Sequence, residues 1–186
     1  MVPRPAYLRY YTSMLQHRFI DSALRNPDKI AFIDRSLGSN VSYSRALLAS
    51  LILARRFKKL ERGRIGVMLP TSSAGGLAVI AALMADRTPV MINYSTGAEK
   101  NCLYAKEQCD FRVIVTAKAL LEKIGCKQLP NMVFIEDILG ALGKLEKALA
   151  FVKSNLPISL LKRAVGKPKP DSPAVILFTS GSEKEP

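Results

Sequence analysis

At 186 residues, 48% of them hydrophobic, the chain has enough apolar material for one well-buried domain and is far from a disordered composition. Its formal charge of +13 suits acidic partners or anionic surfaces. Nucleic acid is not expected, because no helix-turn-helix, finger or RNA-binding signature appears and aromatics are not interleaved with the basic residues.

The first eleven residues hold two prolines and two arginines but no apolar h-region, so no signal peptide is read there. Residues 1–12, rich in Pro, Arg and Tyr, read as a linker or N-terminal lead. Residues 13–25 carry Met14, Leu15, Phe19, Ile20, Ala23 and Leu24 on a helical stripe that Asn26-Pro27 ends. Residues 30–34 and 40–43 flank Leu37-Gly38-Ser39 as a hairpin. Ser42 or Ser44 caps a helix running to about Leu60. A strand follows at 64–69, an apolar helix at 72–86 and a strand at 88–92. Thr96-Gly97-Ala98-Glu99 has the spacing of a capping box for a helix reaching Gln108. Beyond it come a strand (111–116), a helix (117–124), a strand (131–135) and a basic-amphipathic helical stretch (139–165). The longest apolar runs, 46–54 and 74–85, are shorter than the roughly 20 residues that span a bilayer and read as core helices. The loop GKPKPDSP (166–173) feeds AVILF (174–178), five apolar residues suited to a strand covered on both faces.

Strands alternating with helices predict an α/β fold: a doubly wound, mostly parallel sheet with helices on both faces. In such sheets ligands bind beyond the carboxyl ends of the strands.

Cys102, Cys109 and Cys126 form no C-x-x-C pair, and the first two fall on one helix face. Core packing in a reducing cytoplasm is the expectation, against metal binding or nucleophilic use. His17 is the only histidine and has no acid or cysteine partner in a motif, so a helix-surface position is expected rather than a catalytic one. The charge is uneven: residues 1–60 hold 11 basic and 3 acidic side chains. Its densest cluster, Arg55-Arg56-Phe57-Lys58-Lys59, stands at a helix end, where cations suit the dipole. The alternatives are docking of an acidic carrier protein or of a membrane, and nucleic acid last.

After the final strand comes Thr179-Ser180-Gly181-Ser182-Glu183-Lys184-Glu185-Pro186. Three hydroxyls and a glycine can turn hydroxyl and N–H groups toward phosphate oxygens, although an ordinary polar turn has the same composition. The spacing is not that of the P-loop. It resembles the phosphate loop of the AMP-forming adenylating enzymes, which reads Thr-Ser-Gly-Ser/Thr, Thr or Glu, Gly, any residue, Pro, Lys. Other segments are similar to that superfamily in the same order: KIAFID (29–34) with Val41-Ser42-Tyr43, GRIGVMLP (63–70), MADRTPVMIN (84–93) and DFRVIVT (110–116). The resemblance covers residues 19–186. Glu183, Ile92-Asn93-Tyr94-Ser95 and MVFIED (132–137) are most similar to one branch, the acyl-[acyl carrier protein] synthetase part of the 2-acylglycerophosphoethanolamine acyltransferases. Lys184 departs from the pattern, standing where the family has glycine.

The resemblance implies that residues 13–186 are the N-terminal part of an adenylation domain, ending inside its phosphate loop. Thr179, Ser180, Gly181, Ser182, Glu183 and Lys184 would then line the nucleotide phosphates, with no catalytic and no metal-binding residue in this stretch. The parent enzyme would use ATP and Mg to activate a fatty acid and pass the acyl group to acyl carrier protein or CoA, in step with lysophospholipid reacylation. It would work in the cytoplasm, at the inner face of the membrane. These residues alone are expected to be inactive, to bind no cofactor, and to self-associate. A non-catalytic basic module docking a carrier protein or membrane is the rival reading.

Overall fold

The computed structural model describes residues 14–35, 38–143, 148, 151–152, 154–166 and 172–178. Helix α1 (Leu15–Arg25) turns Ile20 and Ala23 inward and hands over to the hairpin β1 (Ile30–Asp34) and β2 (Ser39–Ser42), which pair antiparallel. Ser42 caps α2 (Tyr43–Phe57), its hydroxyl accepting from the Arg45 N–H at 3.5 Å. The helix stops at Phe57, three residues short of the expected end. There the buried Arg87 guanidinium donates to the carbonyls of Lys58 (3.4 Å) and Leu60 (3.2 Å). These bonds hold the turn that follows α2.

The remaining elements are β3 (Gly63–Val67), α3 (Ser73–Met84), β4 (Arg87–Met91), α4 (Ala98–Cys109), β5 (Ile114–Thr116), α5 (Lys118–Ile124), β6 (Met132–Phe134), α6 (Ile135–Gly140), α7 (Ile158–Ala164) and β7 (Ile176–Leu177). The sheet has the order β6-β5-β3-β4-β7, and every neighbouring pair is parallel. Alternation along the strands splits the apolar residues into two cores. Ile65, Val67 and Val115 join α1, α2, α3 and α7 on one face. Met68, Val90 and Ile114 join α4 and α5 on the other. The α/β, parallel, two-faced architecture is the expected one.

Three expectations need correction. Thr96 is not the cap of α4. Gly97 is, at φ +59°, with no side-chain cap bond; a left-handed residue there suits glycine, and the carbonyl of Thr96 is taken by Asn101 Nδ2 at 2.7 Å. The stretch 139–165 is not one helix. α6 starts directly after β6, and Ser154 Oγ and Asn155 Nδ2 both donate to the Phe151 carbonyl at 2.8 Å, closing a turn before Pro157 opens α7. Nor is the final strand covered on both faces. It lies at the edge of the sheet, Ile176 and Phe178 facing the second core while Val175 and Leu177 are 41% and 66% exposed.

Candidate functional site at the carboxyl edge of the sheet

Because all five strands of the sheet run the same way, the connections after them leave from one edge. The chain leaves β3 through Met68–Ser72 and enters α3, whose start is fixed from two sides. Ser72 Oγ accepts from the Gly75 N–H at 3.4 Å and donates to the Pro70 carbonyl at 3.3 Å. Asp34, 5% exposed at the end of β1, accepts from the Ser73 N–H at 2.8 Å and from its hydroxyl at 2.7 Å. A carboxylate at a helix N-terminus also favours the dipole. The turn is tight: a Cβ at Gly75 would lie 2.4 Å from the Pro70 oxygen, so no larger residue fits. Asp34 thereby locks the hairpin to this edge.

The connection after β4 is held by two asparagines. Asn93 Oδ1 accepts from the Ser95 N–H at 2.9 Å and from its hydroxyl at 2.7 Å. Asn101 Nδ2 reaches back from α4 to the Asn93 carbonyl at 2.9 Å as well as to Thr96. Beside this connection opens a groove of about 900 Å³, lined by Tyr94, Glu99, Leu103, Tyr104, Glu107 and Cys126 among others. Cys126 is a poor nucleophile there. Burial pushes its thiol pKa up, and the Glu99 carboxylate adds to the effect.

β7 pairs with β4 through Val90↔Ile176 and Met91↔Leu177. Phe178 therefore leaves the sheet next to the Asn93 connection, and its ring meets Tyr104 edge-on with centroids 5.7 Å apart. The six residues expected to line phosphates, Thr179, Ser180, Gly181, Ser182, Glu183 and Lys184, lie outside the described residues. What precedes them ends on the carboxyl edge.

Other candidates sort out simply. Cys102 is fully buried, its thiol pushed up to about 12 by burial, and Cys109 is buried below it on α4, as expected of core residues. His17 is half-buried on α1 rather than at the surface. In the basic cluster, Arg56 Nη2 donates to the Ala141 carbonyl at 3.0 Å and Lys58 Nζ to the Ala164 carbonyl at 2.9 Å. Both acceptors sit at the C-termini of other helices, α6 and α7, so these two side chains tie the end of α2 to its neighbours. Among the described residues no group of three or more His, Cys, Asp or Glu could hold a metal.

Sequence reasoning missed Asp34, Asn101 and Tyr104. Asn93-x-Ser95 has the pattern of an Asx turn and was open to detection. Asp34 finds its partner 39 positions away, and no local signal announces that.

Comparison with solved structures gives matches to the same fold. A nonribosomal peptide synthetase, FmoA3, matches with a TM-score of 0.68 at 16% identity, over 90% of this chain and 16% of its own. The N-terminal subdomain of Klebsiella oxytoca NpsA matches at 0.63 and 15% identity, over 90% of this chain and 39% of its own. O-succinylbenzoate coenzyme A synthetase from Bacillus subtilis matches at 0.55 and 15% identity, over 68% of this chain and 28% of its own. The chain thus spans well under half the length of each. The sequence profile of the AMP-binding enzymes matches residues 19–186, and the chain belongs to the AMP-binding enzyme family.

Proposed function

We propose that this chain is the N-terminal part of a ligase that activates a fatty acid with ATP, giving an acyl-adenylate and pyrophosphate, and then transfers the acyl group to the phosphopantetheine thiol of acyl carrier protein. The observation that carries the reading is the family match extending through Thr179–Ser182, joined to the departure of Phe178 from the carboxyl edge of a parallel sheet. Thr179, Ser180 and Ser182 would offer hydroxyls to the β- and γ-phosphates, and Gly181 the close backbone approach. Glu183 and Lys184 flank them. Their part is positional and electrostatic: the triphosphate is held in line while the carboxylate attacks the α-phosphorus. Magnesium would accompany the triphosphate and offset its charge. The fatty acid, the link to lysophospholipid reacylation and a place at the inner face of the cytoplasmic membrane rest on the branch-specific residues Ile92-Asn93-Tyr94-Ser95, MVFIED and Glu183.

CoA is the second reading for the acceptor, favoured by the coenzyme A synthetase among the solved structures of the same fold. One experiment on the full-length protein separates these. ATP–pyrophosphate exchange is measured with long-chain fatty acids, aromatic acids and amino acids, followed by acyl transfer to acyl carrier protein or CoA. Exchange restricted to fatty acids, with transfer to the carrier protein, is the expected result. Exchange driven by amino acids alone would overturn the substrate class, and transfer to CoA alone would overturn the acceptor.

A further inference from the structure

The stretch after β6 crosses α2 and returns. At its start the Ala141 carbonyl is tied to Arg56, and at its end the Ala164 carbonyl is tied to Lys58, both at the C-terminal end of α2. Its middle, Phe151 with Ser154 and Asn155, lies at the other end of that helix, bordering a groove of about 380 Å³ with Arg45, Leu47 and Leu48. This layer turns large apolar side chains outward. Phe151 and Val152 are each 62% exposed, Leu160 45% and Ile158 39%. A soluble surface rarely spends so many large apolar residues within ten positions.

The charge around them is mainly positive. Of the acidic groups on adjoining elements, Asp21 pairs with Lys162 at 2.5 Å, Glu61 with Arg112 at 3.5 Å and Asp137 with Lys118, while Asp28 and Glu136 are exposed. Arg55, Lys59 and Arg163 are exposed and, among the described residues, enter no ion pair. Apolar side chains with exposed cations at both ends of the layer, Arg45 by Phe151 and Arg55, Lys59 and Arg163 at the other end of α2, fit one kind of partner better than an acidic protein surface: a lipid interface that takes the first and attracts the second. No described helix is long and apolar enough to cross a membrane. The contact is therefore one of lying on the bilayer.

We infer that the layer over α2, led by Phe151, Val152, Ile158 and Leu160 and flanked by Arg55, Lys59 and Arg163, docks this protein on an anionic bilayer surface. The inference rests on the membrane location given under the proposed function but not on the adenylation chemistry, so vesicle binding can fail while acid-dependent exchange succeeds, and the reverse. Because the sequence contains no tryptophan, Val152→Trp supplies a single reporter in the layer. Leu103→Trp, 53% exposed on α4 across the sheet, supplies a reporter away from it.

With phosphatidylcholine vesicles containing phosphatidylglycerol, the fluorescence of Val152→Trp should shift to the blue and that of Leu103→Trp should not. Cosedimentation should need the anionic lipid and weaken with salt. Arg55→Glu/Lys59→Glu and Phe151→Ser/Leu160→Ser should each lower the partition coefficient by about tenfold. Since these side chains are exposed, melting temperatures should stay near that of the parent. Absence of binding, equal binding to pure phosphatidylcholine, a shift at Leu103→Trp instead, or undiminished binding by Phe151→Ser/Leu160→Ser would overturn the inference. A layer that binds an acidic carrier protein but no vesicle would also overturn it.

Discussion

The Asp34 carboxylate shows how much a single buried acceptor can organise. It takes two hydrogen bonds from Ser73 across 39 positions and joins the hairpin to the helix that starts at the carboxyl edge. Asp34→Ala would strand the Ser73 hydroxyl and the first N–H of α3, and should cost about 2–3 kcal/mol, read from urea unfolding. Asp34→Asn keeps one acceptor and should cost less. A loss below about 0.5 kcal/mol in the alanine variant would mean that the carboxylate is not holding the helix. A second residue-level outcome concerns Cys102. Its thiol is raised to about 12 by burial, so the native state keeps it neutral at pH values where the unfolded chain ionises it. That stability is complete below about pH 9 and is lost as pH climbs toward the native value. The urea midpoint should fall between about pH 8 and about pH 10.5, and Cys102→Ala should fall less steeply over the same range. Identical slopes would contradict it. The burial of Cys102 and Cys109 was legible from their seven-residue spacing, whereas Cys126, also expected in the core, is half-buried at the groove. The Asp34–Ser73 bond was not legible, since it depends on a tertiary contact that no periodicity encodes.

At the level of elements, strand and helix types were readable because the apolar runs alternate with amphipathic stretches. Errors fell where tertiary bonds override local signals. Arg87 draws in the carbonyls after Phe57 and ends α2 early. The Asn93–Asn101 pairing takes over the turn that Thr96 would have capped. The run AVILF reads as buried from composition alone, but composition cannot say that β7 lies at the sheet edge with Leu177 turned outward. That edge is where the expected self-association would form. A parallel edge with exposed Val175 and Leu177 invites a second chain. Leu177→Lys should keep the fold and shift sedimentation toward the monomer, whereas a monomeric parent at high concentration would remove the reason for the substitution.

For the whole molecule, the order of segments gave the family and the fold together, because each short strand sits in the register the sheet demands. The structure gives the connections after β3 and β4 and the end of β7 at one edge of the sheet, while Thr179–Lys184 lie outside the described residues. Since the chain spans 16–39% of the two solved structures of which it is covered for nine-tenths, the 186 residues alone should show no fatty-acid-dependent ATP–pyrophosphate exchange above background. Robust exchange by them would place the catalytic groups within this chain after all.

If the residues following β7 hold the phosphates of ATP, Gly181 is the position where a side chain does most harm. In the full-length protein, fatty-acid-dependent ATP–pyrophosphate exchange should fall by at least about a hundredfold in Gly181→Val, because a branched side chain would stand between backbone and phosphates. The melting temperature should stay close to that of the parent. Near-normal exchange in that variant would contradict the account.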